Sequence, residues 1–400
     1  MIHSHELNQT DALRGRDIVC FSNDWDGDPL SKTHIMKILA RENRILWINS
    51  VSNRRPTASS HDLRRMVKKL GDVVRGVTEP WPNIYVLGPL ALPAFGGLAR
   101  RINSSVFRAQ ILGAMRQLRF ERPISWSFLP GSAPVSGSLG EDLVVYHCVD
   151  EFTAFAGAPA EIGEMEGTLA RRADLVLVSA DRLREAKLPF NSNCRVVLHG
   201  VDHEHFSKAL SSSTPLPPEL EALPRPVIGF YGLMAEWVDL SLVRAVADAF
   251  AHASVVLLGK VQTSLEPLAG ATNVHMMGRR PYEELPQWCK GFDVALLPFV
   301  DSELARSSNP LKVREYLAAG LPVVSTPVPE VARLDHCRVA AGRQAFLQAV
   351  RDALVDRTPR AARSQSVASE SWEAKVQEIR SAVAATYQRR SVGVQVLPAE

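Results

Sequence analysis

The chain has 400 residues, of which 46% are hydrophobic and 22% charged, with a formal net charge of +3. That length predicts two domains of ordinary size, the composition is that of a soluble globular protein, and so small a charge excludes nucleic-acid binding argued from charge alone. The five cysteines, at 20, 148, 194, 289 and 337, are odd in number and not spaced as a metal knuckle or redox pair, so reduced thiols of a cytoplasmic protein are expected.

Met1–Asp17 is polar and mixed in charge and lacks the apolar centre of a secretory signal. No apolar run approaches the ~18 residues of a transmembrane helix. Asp17–Phe21 predicts a strand, followed by a polar loop and a helix around Lys32–Arg41. Arg44–Asn49, Asn83–Leu87, Ser125–Phe128, Leu143–Cys148, Leu175–Ser179 and Arg195–Leu198 are further expected strands with helices between them. Continuous apolar strands alternating with helices predict a parallel sheet covered on both faces. Residues 207–225 carry Ser-Ser-Ser-Thr-Pro and Leu-Pro-Pro and predict a linker.

The alternation then restarts. Strands are expected at Pro226–Gly232, Ser254–Gly259, Asn273–Met277, Asp293–Pro298 and Val323–Thr326, and helices at Leu240–Ala251 and Tyr282–Cys289. The chain after Arg333 is expected to be helical. The predicted organisation is an N-terminal Rossmann-like domain over 1–206, the linker 207–225, a second Rossmann-like domain over 226–365, a helix over 366–390 and a disordered tail over 391–400. In open α/β sheets a ligand sits outside the carboxyl ends of the strands, so two such sheets in series predict a cleft to which both halves contribute.

The segment Asn309-Pro-Leu-Lys-Val-Arg-Glu-Tyr-Leu-Ala-Ala-Gly-Leu-Pro-Val-Val-Ser-Thr326 carries the most chemistry. It predicts a polar loop, a short helix and a buried strand, with Asn309 as cap, Pro310 at the first helical position and Gly320 just past the end. Lys312 then falls in the first turn, where unpaired N–H groups and the macrodipole favour an anion, and the amine sharpens that preference toward phosphate. Glu315 lies one turn further on the same face. A diphosphate followed by a sugar with free hydroxyls fits the pair; the bland alternative is an exposed ion pair.

These residues resemble the donor-binding signature of group 1 glycosyltransferases with the two-domain GT-B fold, in which a helix of the form N-P-x-K-x-x-E-Y-x-x-x-G-x-P-V-V holds a nucleotide sugar. Three other blocks are similar to the same family in order and spacing: Ile228-Gly-Phe-Tyr-Gly-Leu-Met-Ala-Glu-Trp-Val-Asp239, Gly278-Arg-Arg-Pro-Tyr-Glu-Glu-Leu-Pro286 and Phe292-Asp-Val-Ala-Leu-Leu-Pro-Phe299. In the first half, Asp24-Trp-Asp26, Lys32-Thr-His-Ile-Met36 and Val197-Leu-His-Gly-Val-Asp202 look like bacterial exopolysaccharide and teichuronic-acid-type transferases. Tyr146-His-Cys-Val-Asp150 ends a strand where a xanthan-type glucuronosyltransferase carries its catalytic aspartate. One departure stands out: many relatives have a glutamate touching the transferred sugar eight residues before the one matching Glu315, and here that position is Ser307.

The resemblance implies an α/β GT-B fold, two Rossmann-like domains with parallel sheets facing a central cleft, and a C-terminal helix that crosses back toward the first domain. It implies transfer of a sugar from a UDP- or GDP-sugar to a glycan or lipid-linked acceptor of the cell surface or an exopolysaccharide. A sugar-nucleotide epimerase or a non-catalytic nucleotide-sugar-binding protein of the same fold are the alternatives. Lys312 with the backbone of Ser308 and Asn309 is expected to stabilise the leaving diphosphate. Gly232 lets a second turn approach the phosphates, Lys260 is a weaker source of positive charge, Glu315 receives the ribose hydroxyls and Arg279 lines the base pocket.

Asp150, at the carboxyl end of an apolar strand, is the expected catalytic base. Glu151 is the second choice, and His147 is expected to pack within the strand. Asp24, Asp26 and Lys32 are assigned to the acceptor side. Asp24-Trp-Asp26 resembles a D-x-D metal motif but lies in the acceptor half, and of the neighbouring His199, His203 and His205 the first two frame a strand-exit turn rather than a helical metal site, so no metal and no cofactor are expected. Basic amphipathic character over Leu90–Phe120 and at Arg64, Arg65, Lys68 and Lys69 suggests peripheral contact with the inner face of the cytoplasmic membrane.

Overall fold

A computed structural model describes residues 12–50, 76–89 and 97–394. The chain divides into two compact units. The first takes the chain up to Thr153, Gly157–Val197 and the chain from Val376; the second takes Ala154–Ala156 and Leu198–Lys375.

The sheet of the first unit is built from β1 (Asp17–Phe21), β2 (Arg44–Ile48), β3 (Thr78–Trp81), β4 (Ile84–Leu87), β5 (Ile124–Ser127), β6 (Leu143–Cys148), β7 (Leu175–Val178) and β8 (Cys194–Val196). Their order is β3-β4-β2-β1-β5-β6-β7-β8. Every neighbouring pair is parallel except β3 with β4. The central strands are buried along their whole length, as in Leu143–Cys148, because helices cover both faces and leave no polar side to alternate with.

Strand β3 was not expected from the sequence. Its four residues, Thr-Glu-Pro-Trp, are all exposed and include Pro80, a composition that only an edge strand tolerates. A two-residue turn joins it to β4, with Asn83 at φ 62°, a conformation asparagine adopts more readily than most residues.

The helix Gly97–Leu118 places Phe107, Ile111, Ala114, Met115 and Leu118 against Val19, Phe21, Leu46 and Ile48. Over 103–118 these apolar side chains are taken up by the core. Arg108 donates to the Ser138 carbonyl at 2.8 Å, and Arg116 and Arg119 are exposed. The cluster Arg64, Arg65, Lys68 and Lys69 lies outside the described residues, as do the side chains of Arg100 and Arg101. No helix among the described residues is long and apolar enough to cross a membrane.

The second unit holds β9 (Val227–Tyr231), β10 (Ser254–Leu258), β11 (Val274–Gly278), β12 (Val294–Leu297), β13 (Val323–Ser325) and β14 (Cys337–Val339). They form a wholly parallel sheet in the order β11-β10-β9-β12-β13-β14. This is the doubly wound dinucleotide-binding order, and its switch point lies between β9 and β12. Alternate residues split between two cores. Val227, Tyr231, Val256, Leu258, Ala295 and Leu297 pack with Trp288, Tyr316 and Leu317 on one face. On the other, Ile228, Phe230, Val255, Leu257, Val294 and Leu296 pack with Val243, Val246, Phe346 and Val350.

Three expectations need correction. The stretch 207–225 is not a free linker but part of the second unit. Leu220 is buried in its core, and the Lys290 ammonium donates to the carbonyls of Ser211 at 2.8 Å, Ser212 at 3.3 Å and Thr214. Prolines there set the path of a packed strap, which composition alone does not distinguish from a tether. The chain after Arg333 is not wholly helical: β14 adds a short parallel strand beside β13. Finally, the last helix runs Trp372–Val394, so residues 391–394 are its final turn, and 395–400 lie outside the described residues. Within the first unit this helix is held by Arg380 to Glu42 at 2.6 Å, Thr386 to Asn193 at 3.0 Å and Tyr387 to Asp142 at 2.8 Å.

All five cysteines are free thiols, four of them buried.

Candidate active site

At the carboxyl end of β9 the chain turns at Gly232, and beyond β10 it turns at Gly259, with φ of 141° and 139°. Both values lie in the region that favours glycine. A Cβ on Gly259 would stand 1.8 Å from the Gly232 carbonyl oxygen, and one on Gly232 would stand 2.1 Å from Cε and 2.9 Å from Nζ of Lys312. Missing side chains thus allow the two turns to pack together and let the Lys312 stem lie on bare backbone. The ammonium is brought to the switch point of the sheet, in the first turn of the helix Leu311–Ala318.

This helix ends as its sequence predicts. Gly320 has φ 79°, its N–H donates to the Leu317 carbonyl at 2.7 Å, and the Leu321 N–H donates to that of Tyr316 at 2.9 Å, the double closure of a Schellman motif. Its start differs from expectation. Pro310 occupies the cap position and no side chain caps the helix. Asn309 is buried; its side-chain oxygen accepts from Arg314 Nη1 at 2.7 Å and its carbonyl from His199 Nδ1 at 2.7 Å. The N–H and hydroxyl of Ser308 both donate to the Ala305 carbonyl, at 3.2 and 2.8 Å. Ser308 and Asn309 are therefore engaged in shaping the loop, and of the expected phosphate-binding set it is Lys312 and Gly232 that the structure brings together.

Glu315, half-buried one turn along, accepts a hydrogen bond from the Tyr231 hydroxyl at 2.6 Å, and the Tyr231 N–H donates to the Tyr316 hydroxyl at 2.9 Å. Burial pushes the Glu315 pKa up; the Tyr231 hydrogen bond and the Lys312 charge draw it back, and Asp202 adds to the rise. Tyr282 lies close enough to feel Glu315 and stacks on His205 with ring centroids 4.5 Å apart. Sequence reasoning missed Tyr231, which looks like an ordinary strand residue, and Asp202, whose Gly-Val-Asp context was the available signal. Arg279, on the loop after β11, and Lys260 are exposed. Lys260 contributes its carbonyl, which accepts from the Met234 N–H at 2.9 Å.

Ser307 is buried, and its hydroxyl donates to the Glu303 carboxylate at 3.1 Å. A carboxylate thus neighbours Ser307.

In the first unit the switch point lies between β1 and β5. Lys32 is buried there, its ammonium bonded to the Asn23 side-chain oxygen and 6.0 Å from the Phe128 ring centroid. Asp150 follows β6. Burial raises its pKa and the Lys32 ammonium opposes the rise; Lys32 is itself lowered by burial and drawn up by Asp150.

The Asp150 turn is anchored from behind. Lys187 donates to Glu166 at 2.9 Å and to Glu151 at 3.2 Å, Tyr146 donates to Glu166 at 2.6 Å, Thr153 donates to Glu151 at 2.6 Å, and the Cys148 thiol donates to the Asp150 carbonyl at 3.3 Å. Removing one partner from such a buried charged group typically costs about 3–5 kcal/mol. Glu151, the second choice as base, is held in this anchor, and His147 is buried in β6, stacked on Phe128 at 4.9 Å. Asp24 and Asp26 lie on the exposed loop after β1, with Asp24 accepting from the Ser50 hydroxyl at 3.1 Å, while the neighbouring Asn23 holds the buried Lys32 ammonium. Among the described residues no group of three or more His, Cys, Asp or Glu side chains is placed to hold a metal ion.

Two doubly wound α/β units, the second with a glycine turn, a lysine and a glutamate at its switch point, define the GT-B class of fold. Residues 225–356 match the sequence profile of the family described as Glycosyl transferases group 1. Over 231 residues the chain is 27% identical to TuaH of Bacillus subtilis (strain 168), named as a candidate teichuronic acid biosynthesis glycosyltransferase. That match spans 54% of this chain and 58% of the relative's length. Among solved structures, sucrose-phosphate synthase from Thermosynechococcus elongatus is similar at a TM-score of 0.68 and 14% identity, covering 95% of this chain and 100% of that one. Anabaena HepE in complex with UDP and glucose is similar at a TM-score of 0.58 and 13% identity, covering 95% and 99%. At these identities the structural likeness is one of fold.

Proposed function

We propose that this protein is a glycosyltransferase that moves a sugar from a UDP- or GDP-sugar to a lipid-linked glycan acceptor of the cell envelope. The observation that carries the reading is Lys312 lying across the bare backbone of Gly232, with Glu315 one turn further on. The amine neutralises a leaving diphosphate, and the carboxylate accepts ribose hydroxyls. The named roles of TuaH and the UDP held by HepE support the donor class and the glycan product. Asp150 takes the proton of the acceptor hydroxyl, with Lys32 holding it ionised. The protein works at the cytoplasmic face of the membrane through exposed basic residues such as Arg108 and Arg116, the apolar side chains Phe107, Ile111 and Met115 of the same helix being taken up by the core.

A panel of UDP- and GDP-sugars tests the donor class by melting temperature. A ligand at 100 times its Kd adds about 2.7 kcal/mol to the folded state, which for units of this size corresponds to a rise of roughly 5–10 °C. One nucleotide series is expected to give that shift, and a flat response across both would overturn the reading.

A further inference from the structure

The residue that holds the mouth of the donor helix lies 110 positions upstream of it in sequence. His199 is buried, and its Nδ1 lies 2.7 Å from the Asn309 carbonyl oxygen. A carbonyl only accepts, so Nδ1 carries the hydrogen. The ring sits beside Trp372, with centroids 6.1 Å apart. Gly200 makes this possible: a Cβ there would stand 2.9 Å from the Trp372 nitrogen, and the Val201 N–H donates to the Glu370 carbonyl at 2.9 Å.

Arg314 completes the frame. Its Nη1 donates to the Asn309 side chain at 2.7 Å and its Nε to Glu370 at 2.6 Å. Asn309 is thus gripped by its main chain from His199 and by its side chain from Arg314, and both grips refer back to the segment around Glu370–Trp372. Pro310 follows with a restricted backbone, then the helix begins, and Lys312 is its second residue. A shift of Asn309 carries Lys312 with it, away from the bare backbone of Gly232.

We infer that His199 is a positioning residue for the donor diphosphate, acting through the Asn309 carbonyl on Lys312. The inference rests on the function proposed above and adds a residue distant in sequence to that site.

Calorimetric titration of the full chain with UDP and with GDP tests it on three variants. In His199→Leu the donor is lost, and nucleotide affinity is expected to fall about tenfold, the scale of one lost hydrogen bond to a buried group. In His199→Asn the amide nitrogen falls near the place of Nδ1 and can donate, so affinity returns to within about threefold of the parent. In His199→Gln the amide reaches the far side of the ring's volume instead and does not restore it. A residue that merely fills space would favour Gln, which is closer to His in volume, over Asn, so the order Asn above Gln marks the hydrogen bond, and this contrast stands even if the leucine variant fails to fold. Parent binding with Leu, Asn and Gln variants all alike would overturn the role of His199 and leave the donor site standing. A parent chain that binds neither nucleotide would overturn the donor reading, and this inference with it.

Discussion

Replacing Lys312 by methionine is expected to weaken nucleotide binding by roughly tenfold to 150-fold and to slow transfer by about 10²–10³. Methionine keeps most of the stem that lies over Gly232 and removes only the charge, so packing in the helix Leu311–Ala318 is preserved. A hydrogen bond to a charged group contributes about 1.5–3 kcal/mol, which sets the binding loss. The larger effect on rate follows from the chemistry: negative charge grows on the diphosphate as the sugar leaves, so the amine interacts more strongly with the transition state than with the bound donor. Gly232→Ala reaches the same end by another route. Its Cβ would fall 2.1 Å from Lys312 Cε, and its φ of 141° is one that alanine does not adopt without strain. Titration with UDP or GDP and the rate of nucleoside diphosphate release measure both effects. Unchanged binding in Lys312→Met would remove the lysine from the donor site.

Asp150→Asn is expected to leave nucleotide affinity intact and to cut transfer by about 10²–10⁴, the usual contribution of a general base. The amide is isosteric and neutral, so the buried corner around Lys32 loses a charge without losing shape. The pH profile gives a second readout. Burial holds the Asp150 pKa above the ordinary 3.8, against the pull of Lys32. A base works only when deprotonated, so the rate of the parent enzyme is expected to fall as pH drops through that raised value, with its acid limb above 3.8. The residual rate of Asp150→Asn should lack that limb. Full turnover by the variant would exclude Asp150 from the mechanism.

The sequence made the sheets legible because their strands are short, continuous apolar runs such as Leu143–Cys148 and Val294–Leu297, and a parallel sheet buried on both faces leaves no other pattern. Strand β3 was hidden by its exposure and proline, and β14 by its brevity. The end of the donor helix was legible because only glycine suits the turn at residue 320; its beginning was not. A polar residue before a helix is usually its cap, and nothing local reveals that Asn309 is claimed by Arg314 and His199 instead. Lys312 and Glu315 could be paired by helical spacing, whereas Tyr231 and Gly232 join them only through the order of strands. In the first unit Asp150 is singled out in the sequence by its place at a strand end. The Lys187–Glu166–Glu151 anchor behind it links three charges across 36 residues, beyond the reach of periodicity. Asp24 and Asp26, attractive as a motif, fold onto an exposed loop.

The most direct test is a crystal structure of the protein soaked with UDP or GDP. The expected result is a diphosphate against the Lys312 ammonium and the backbone of Gly232, with ribose hydroxyls on the Glu315 carboxylate. A nucleotide bound elsewhere on the chain, with that corner empty at saturating concentration, would contradict it.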